Sequence, residues 1–96
     1  MTKSYLLVYN DEYSYRENLI EVLNKCSTII FWRYDMQNTF YLTSENTAFE
    51  ISDELSRYIN SSNGKYIVLE YNGNAQGILT KESWYLLNNK RHQEET

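Results

Sequence analysis

The stretch TIIFWRYDMQNTFYL, residues 28–42, decides the fold. Residues Thr28 to Tyr34 are almost all β-branched or aromatic, and the run is too short for another helix, so it predicts a strand. A turn at 35–38 follows, and Thr39 to Leu42 return to strand character. The stretch therefore predicts an antiparallel hairpin.

Two amphipathic helix patterns flank this hairpin in the chain. Ser14 precedes Glu17, and Thr47 precedes Glu50, by the three residues of a capping box. Apolar residues then recur at helical spacing, so each helix is expected to pack on one side only. The two apolar stripes are Leu19, Val22, Leu23 and Cys26, and Ala48, Ile51, Leu55, Tyr58 and Ile59. The lone cysteine, Cys26, is thus interpreted as a core residue.

Two further strands and a short last helix complete the pattern. The first strand is Tyr5 to Tyr9 and the fourth is Tyr66 to Tyr71, which gives the order βαββαβ, and 81–89 predict a C-terminal helix. Right-handed crossovers would place two helices on one face of a four-stranded antiparallel sheet, so the predicted class is an α+β, ferredoxin-like sandwich. We expect one domain over residues 1–89 and a frayed polar tail at 90–96.

The overall composition bounds the environment and the partners. The chain has 96 residues and a net charge of −4, and its aromatic content of 16% is typical of a globular protein. The acidic balance disfavours nucleic acid as a partner. The start of the chain does not resemble a signal peptide and no stretch reaches membrane-spanning length, so a cytoplasmic location and no membrane contact are expected.

One sheet face is expected to lie open, and alternation along the strands predicts which residues line it. Glu70 and Arg33 should avoid the helix-covered side, and side chains two positions apart share a face. Tyrosines in the first strand are then favoured on the outside as well. The expected open face carries Tyr5, Leu7, Tyr9, Phe31, Arg33, Tyr66 and Val68.

Three occupants compete for that face. Stacked nucleic-acid bases would require more Lys and Arg than Arg33, Lys65 and Lys3 supply. Self-association suits the tyrosine content and is the favoured interpretation. The third possibility is that the last segment, including Trp84, folds over the face as intrachain core.

Few residues show the spacing of a catalytic or metal site. Asp11 and Glu12 follow the first strand, where two carboxylates could hold a divalent cation, although a solvated turn is the more common role. His92 lies in the polar tail, where no nucleophilic triad can be assembled around it. No cofactor is expected, except Mg²⁺ if the chain is a nuclease.

Several local patterns match a known family. They are the opening strand from Tyr5 to Asn10, the aromatic pair Phe31-Trp32, the second-helix segment 50–55, and a closing segment with Gly77, Ser83-Trp84 and Leu86-Leu87. On these residues the chain resembles the small Cas2-like, SinR family bacterial proteins. The resemblance implies a ferredoxin-like fold and a homodimer whose two sheets face each other. Some Cas2 relatives are metal-dependent nucleases with an aspartate at the end of strand one, where this chain has Asn10 followed by Asp11.

Three functional hypotheses follow. The leading one is a non-catalytic, Cas2-like homodimeric protein-interaction module, linked to defence or mobile-element systems. The second is a divalent-metal-dependent endonuclease of Cas2 type using Asp11. The third is a small acidic inhibitor, encoded by a phage or other mobile element, that binds a nucleic-acid-binding protein of the host or its defence.

Overall fold

The computed structural model describes residues 1–10, 16–59 and 65–92. Its strands and helices are β1 (Lys3–Tyr9), α1 (Arg16–Lys25), β2 (Phe31–Met36), β3 (Thr39–Ser44), α2 (Ala48–Tyr58), β4 (Tyr66–Tyr71) and α3 (Lys81–Asn89). The strands form one antiparallel sheet in the order β2-β3-β1-β4. The chain is therefore an α+β protein, as predicted, and α3 matches the predicted range 81–89.

A capping box begins α2, as the sequence predicts. The Thr47 hydroxyl accepts a hydrogen bond from the Glu50 amide, and the Glu50 carboxylate accepts one from the Thr47 amide. Two of the amides that a helix start leaves without partners are satisfied in this way. The corresponding prediction for α1 involves Ser14, which lies outside the described residues.

The hairpin is present, but β2 is displaced from the predicted Thr28–Tyr34 to Phe31–Met36. One reason is Glu54 of α2, whose carboxylate accepts four hydrogen bonds from the amides and hydroxyls of Ser27 and Thr28. These contacts hold the two residues in the connection between α1 and β2. A bulge between Arg33 and Met36 then extends β2 beyond its predicted end.

The main core lies between the sheet and the pair α1 and α2. We call this side of the sheet the helix face; it carries Tyr5, Leu7, Tyr9, Phe40 and Leu42, all buried. Opposite them lie five buried residues of the two helices and of the position just after α1: Leu19, Leu23, Cys26, Ile51 and Leu55. Burial raises the pKa of the Cys26 thiol to about 11, as expected for a core cysteine.

The other side of the sheet, which we call the α3 face, carries a second, smaller core. Tyr41 of β3 packs there with Leu86 and Leu87 of α3, and Trp84 packs against them. The Ser4 hydroxyl of β1 donates to the Leu87 carbonyl at 2.7 Å. The last segment is therefore intrachain core, and it covers part of the face that α1 and α2 leave free.

The helices are all short. Among the described residues, no helix has the length and apolar content needed to cross a membrane.

Candidate functional site

The residues expected on an open face are divided between the two sides of the sheet. Tyr5, Leu7 and Tyr9 were placed outside, and that prediction is wrong, because their exposed fractions are only 1%, 1% and 5%. Tyr66 and Val68 also lie on the helix face, where they pack against the main core. None of these five residues belongs to an open face.

Two features explain why these residues were placed on the wrong face: the exposure of Glu70 and the hydrogen bonds of the tyrosine hydroxyls. Glu70 shares the helix face with Tyr66 and Val68, but β4 is an edge strand, so its carboxylate reaches solvent from that side. Buried tyrosines are stable when their hydroxyls find a partner. Tyr5 donates to the Asn46 carbonyl at 2.6 Å, and Tyr9 donates to the Gln37 carbonyl at 3.0 Å.

Phe31 and Arg33 lie on the α3 face, as predicted, but in a different environment from the one expected. Phe31 packs against the second core, and its ring meets that of His92 at a centroid distance of 4.8 Å. This ring contact places His92, which the sequence assigns to the polar tail, beside the second core. Residues 93–96 lie outside the described part of the chain.

Asp35 ties the start of α3 to β2. Its carboxylate accepts hydrogen bonds from the Tyr41 hydroxyl at 2.6 Å, the Thr80 amide and hydroxyl at 3.0 Å, and the Ser83 hydroxyl at 2.8 Å. Burial alone would raise the pKa of Asp35, but these hydrogen bonds outweigh it and lower that pKa below its usual value. Burial and the Asp35 charge raise the pKa of Tyr41.

The sequence did not predict this hydrogen-bonded attachment of α3 to β2. Asp35 was assigned to a turn, and the only local signal was Thr80 three residues before Ser83, which is the spacing of a helix N-cap. Asp35 lies two residues after Arg33 and therefore on the same side of β2, but nothing in the sequence shows that Thr80, 45 residues later, packs against that side.

On the α3 face, the edge of the sheet opposite the Asp35 attachment carries exposed apolar side chains. Ile67 and Leu69 of β4 are 58% and 41% exposed, and Val8 of β1 is 37% exposed. Val8 lies directly opposite Ile67 in the β1–β4 ladder, and Leu6 lies opposite Leu69. We call Val8, Ile67 and Leu69 the β4 patch.

The backbone of β4 adds hydrogen-bonding groups to this patch. The Asn10 amide donates to the Lys65 carbonyl at 3.1 Å, and hydrogen-bonded pairs alternate along an antiparallel ladder. Ile67 and Leu69 therefore bond to β1, while the amides and carbonyls of Val68 and Glu70 point away from it. Within the described residues β4 pairs with β1 alone, so this edge of the sheet is open.

The opposite edge of the sheet is far less suited to pairing. There β2 contains a bulge, the charged residues Arg33 and Asp35, and a hydrogen-bonded attachment to α3. Bulges and charges are the usual means of protecting an edge strand. In β4, by contrast, Glu70 is the one charged residue of Tyr66–Tyr71.

Three carboxylates of the helices and strands serve as hydrogen-bond acceptors that hold parts of the fold together. Asp35 anchors α3, Glu50 completes the capping box, and Glu54 fastens the connection before β2. Asn10 accepts a hydrogen bond from the Lys65 amide at 3.2 Å through its side-chain oxygen. Asp11 and Glu12, the candidate metal ligands, lie outside the described residues. Within the described ranges, no three His, Cys, Asp or Glu side chains are grouped as a metal site would require.

An open cleft of about 420 Å³ lies where the start of β1, the end of β4 and the end of α3 meet. Lys3, Glu70 and Lys90 contribute both signs of charge to its rim. The Tyr71 hydroxyl spans part of it by donating to the Asn88 side-chain oxygen at 2.8 Å. The cleft therefore joins β4 to α3 at the end of the strand.

Comparisons with protein-family models, with curated proteins and with solved structures found no match to this chain.

Proposed function

We propose that this chain is a non-catalytic, Cas2-like homodimeric protein-interaction module that associates through β4. The observation that carries the proposal is the combination of exposed Ile67 and Leu69 with outward-pointing backbone groups on an open edge. An edge strand that is apolar and unprotected is a template for pairing with another strand.

The proposal includes a ferredoxin-like arrangement with α3 added to it. Read from β4, the strand order is β4-β1-β3-β2, and each of the first two helices connects parallel strands separated by one antiparallel neighbour. This is the order that two interlocked right-handed βαβ units produce. In a dimer whose sheets face each other, the α3 face would form the contact, but α3 packs on that face. The proposed association therefore uses the edge strand β4.

The structural use of Asp35 and Glu54 supports the non-catalytic part of the proposal. Asp35 and Glu54 each accept four hydrogen bonds, which hold them in place as acceptors. The hydrogen bonds from Thr28 and Ser27 overcome the effect of burial and lower the pKa of Glu54 to about 2. Such groups are poorly suited to exchanging protons near neutral pH.

Sedimentation velocity over a concentration series of about 1 to 200 μM tests the proposal. We expect the mass to rise from that of one chain, 11.5 kDa, toward twice that value. The Leu69→Lys protein should remain monomeric, because Leu69 is partly exposed in the single chain and a lysine there disturbs pairing more than folding.

Ile78→Lys is the matched control. Ile78 is also an exposed apolar residue, at 99%, but it lies in the connection between β4 and α3. This protein should associate like the parent chain. A parent chain that stays at 11.5 kDa throughout the series would exclude the proposed homodimer.

A further inference from the structure

The alternation of backbone groups in β4 restricts how a second copy could pair with it. The amides and carbonyls of Val68 and Glu70 point away from β1, and those of Ile67 and Leu69 point toward it. An antiparallel pair between two copies must therefore set outward-pointing residues against each other. Only registers centred on a single residue of β4 satisfy this condition.

The positions of the apolar side chains and of Glu70 select one of these registers. A two-fold axis at Val68 places Ile67 of each copy opposite Leu69 of the other, so that Ile67 and Leu69 of both copies meet on the α3 face. It also separates the two Glu70 side chains by roughly 13 Å along the strands. An axis at Leu69 brings the two Glu70 residues to diagonal positions, and an axis at Ile67 shortens the overlap of the strands.

The charges at the two ends of β4 favour the same antiparallel arrangement. Lys65 precedes the strand and Glu70 lies near its end. Antiparallel pairing places Lys65 of one copy at the end of the strand that carries Glu70 in the other, with the two side chains on opposite faces of the joined sheet, so it separates like charges without forming an ion pair. A parallel arrangement would set like charges side by side.

An exposed aromatic residue on α2 extends the contact to the helix face. The Ser52 hydroxyl and the Tyr66 hydroxyl lie 2.7 Å apart, so this flank of α2 lies over β4. Phe49 is three residues before Ser52 and therefore on the same flank, and it is 79% exposed. Specific interfaces bury about 1,200 to 2,000 Å² in total, more than a six-residue strand pair supplies, and Phe49 of both copies adds to that area.

We infer that two copies of this chain pair antiparallel through β4 about a two-fold axis at Val68, joining two four-stranded sheets into one continuous sheet. The inference depends on the proposed self-association and names the surface and the register. The occupant of the β4 patch is thus a second copy of this chain, related by the symmetry that a self-complementary strand requires.

Charge complementation between two variants tests the register. Ile67→Lys and Leu69→Glu should each weaken homodimerisation by at least about tenfold, since each sets a charge against an apolar side chain twice. An equimolar mixture of the two should recover the dimer, because the new lysine then faces the new glutamate while the native Leu69 faces the native Ile67. Sedimentation velocity gives the mass, and circular dichroism checks that each variant is folded.

The matched control is a mixture of Ile67→Lys with Ile67→Glu. These two charges oppose each other only when the axis lies at Ile67, so this mixture should stay monomeric. Recovery in the control mixture, or in a mixture of Leu69→Lys with Leu69→Glu, would overturn the register.

Glu70→Pro provides an independent test of the backbone contacts. Proline removes an outward-pointing amide and leaves the β1–β4 hydrogen bonds intact, so dimerisation should weaken at least about tenfold while the fold is kept. Glu70→Thr keeps the amide and should retain the dimer. If the parent chain dimerises but Glu70→Pro, Ile67→Lys and Leu69→Glu all dimerise equally well, β4 is not the interface. The inference and the proposed route through β4 then both fail, and only the homodimer itself stands. A monomeric parent chain would remove both.

Discussion

Replacement of Asp35 by alanine should release α3 from the sheet at its N-terminal end. The carboxylate accepts four hydrogen bonds, from Tyr41, from the amide and hydroxyl of Thr80, and from Ser83. Alanine removes every one of these acceptors. The loss therefore depends on which donors can find water or another partner instead.

The expected loss in the free energy of unfolding depends on how deeply each hydrogen-bond donor is buried. Thr80 is exposed, so its amide and hydroxyl can bond to water, and the Ser83 hydroxyl keeps its contact with the Thr80 hydroxyl at 3.0 Å. Tyr41 has no exposed surface, so its hydroxyl is left buried without this acceptor. An orphaned buried hydroxyl costs about 1 to 3 kcal/mol, and the remaining lost bonds add about 1 kcal/mol. We expect Asp35→Ala to lower the free energy of unfolding by about 3 kcal/mol, a large share of the total for a small domain.

Urea denaturation followed by circular dichroism measures this loss. Asp53→Ala is the control, because Asp53 forms an exposed ion pair with Arg57 at 2.7 Å and should cost less than about 0.5 kcal/mol. Adding Tyr41→Phe to Asp35→Ala removes the orphaned hydroxyl, so the double variant should be more stable than the sum of the single losses by at least about 1 kcal/mol. A loss below about 1 kcal/mol for Asp35→Ala, or additive losses in the double variant, would refute this reasoning.

Two further predictions concern the other hydrogen-bonded carboxylates. Glu54 has a pKa of about 2 in the folded chain against an ordinary 4.5, so its contribution to stability is complete above pH 4.5 and is lost as pH falls toward 2. The stability difference between the parent chain and Glu54→Gln, measured by urea denaturation, should therefore shrink over this range, and a difference that does not change with pH would contradict the assignment. Thr47→Ala removes one half of the capping box of α2 and should cost about 1 kcal/mol in thermal unfolding, whereas Thr47→Ser should cost little. Equal stability of the alanine and serine variants would show that the cap contributes nothing.

Features that depend on near neighbours in the chain could be predicted from the sequence. The capping box of Thr47 and Glu50 is a local interaction over three residues, and the structure confirms it. The ranges of β4 and α3 were also predicted correctly, since each is bounded by polar or turn-forming residues. These elements needed no information about tertiary contacts.

Features that depend on tertiary contacts were harder to predict. Strand β1 is apolar on both sides, with Tyr5, Leu7 and Tyr9 alternating with Leu6 and Val8, so alternation alone cannot say which set faces the helices. The answer depends on the carbonyls of Asn46 and Gln37, which satisfy two tyrosine hydroxyls from distant parts of the chain.

The β4 patch was also hard to predict, because its exposure depends on tertiary contacts. Glu70 was used to orient β4, although a charged side chain on an edge strand can reach solvent from either face. The β4 patch became recognisable only once the strand order placed β4 at an edge, with α3 crossing the same face from Asp35 of β2 to Ser4 of β1. Exposure of Ile67 and Leu69 is thus a property of the whole fold.

Hydrogen exchange of the β4 amides, followed by NMR at increasing protein concentration, tests self-association through β4 most directly. The amides of Val68 and Glu70 point away from β1, so they should exchange rapidly in the single chain and become protected as the dimer forms. The amides of Ile67 and Leu69 bond to β1 and should be protected at every concentration. Rapid exchange at Val68 and Glu70 that does not change with concentration would contradict the account.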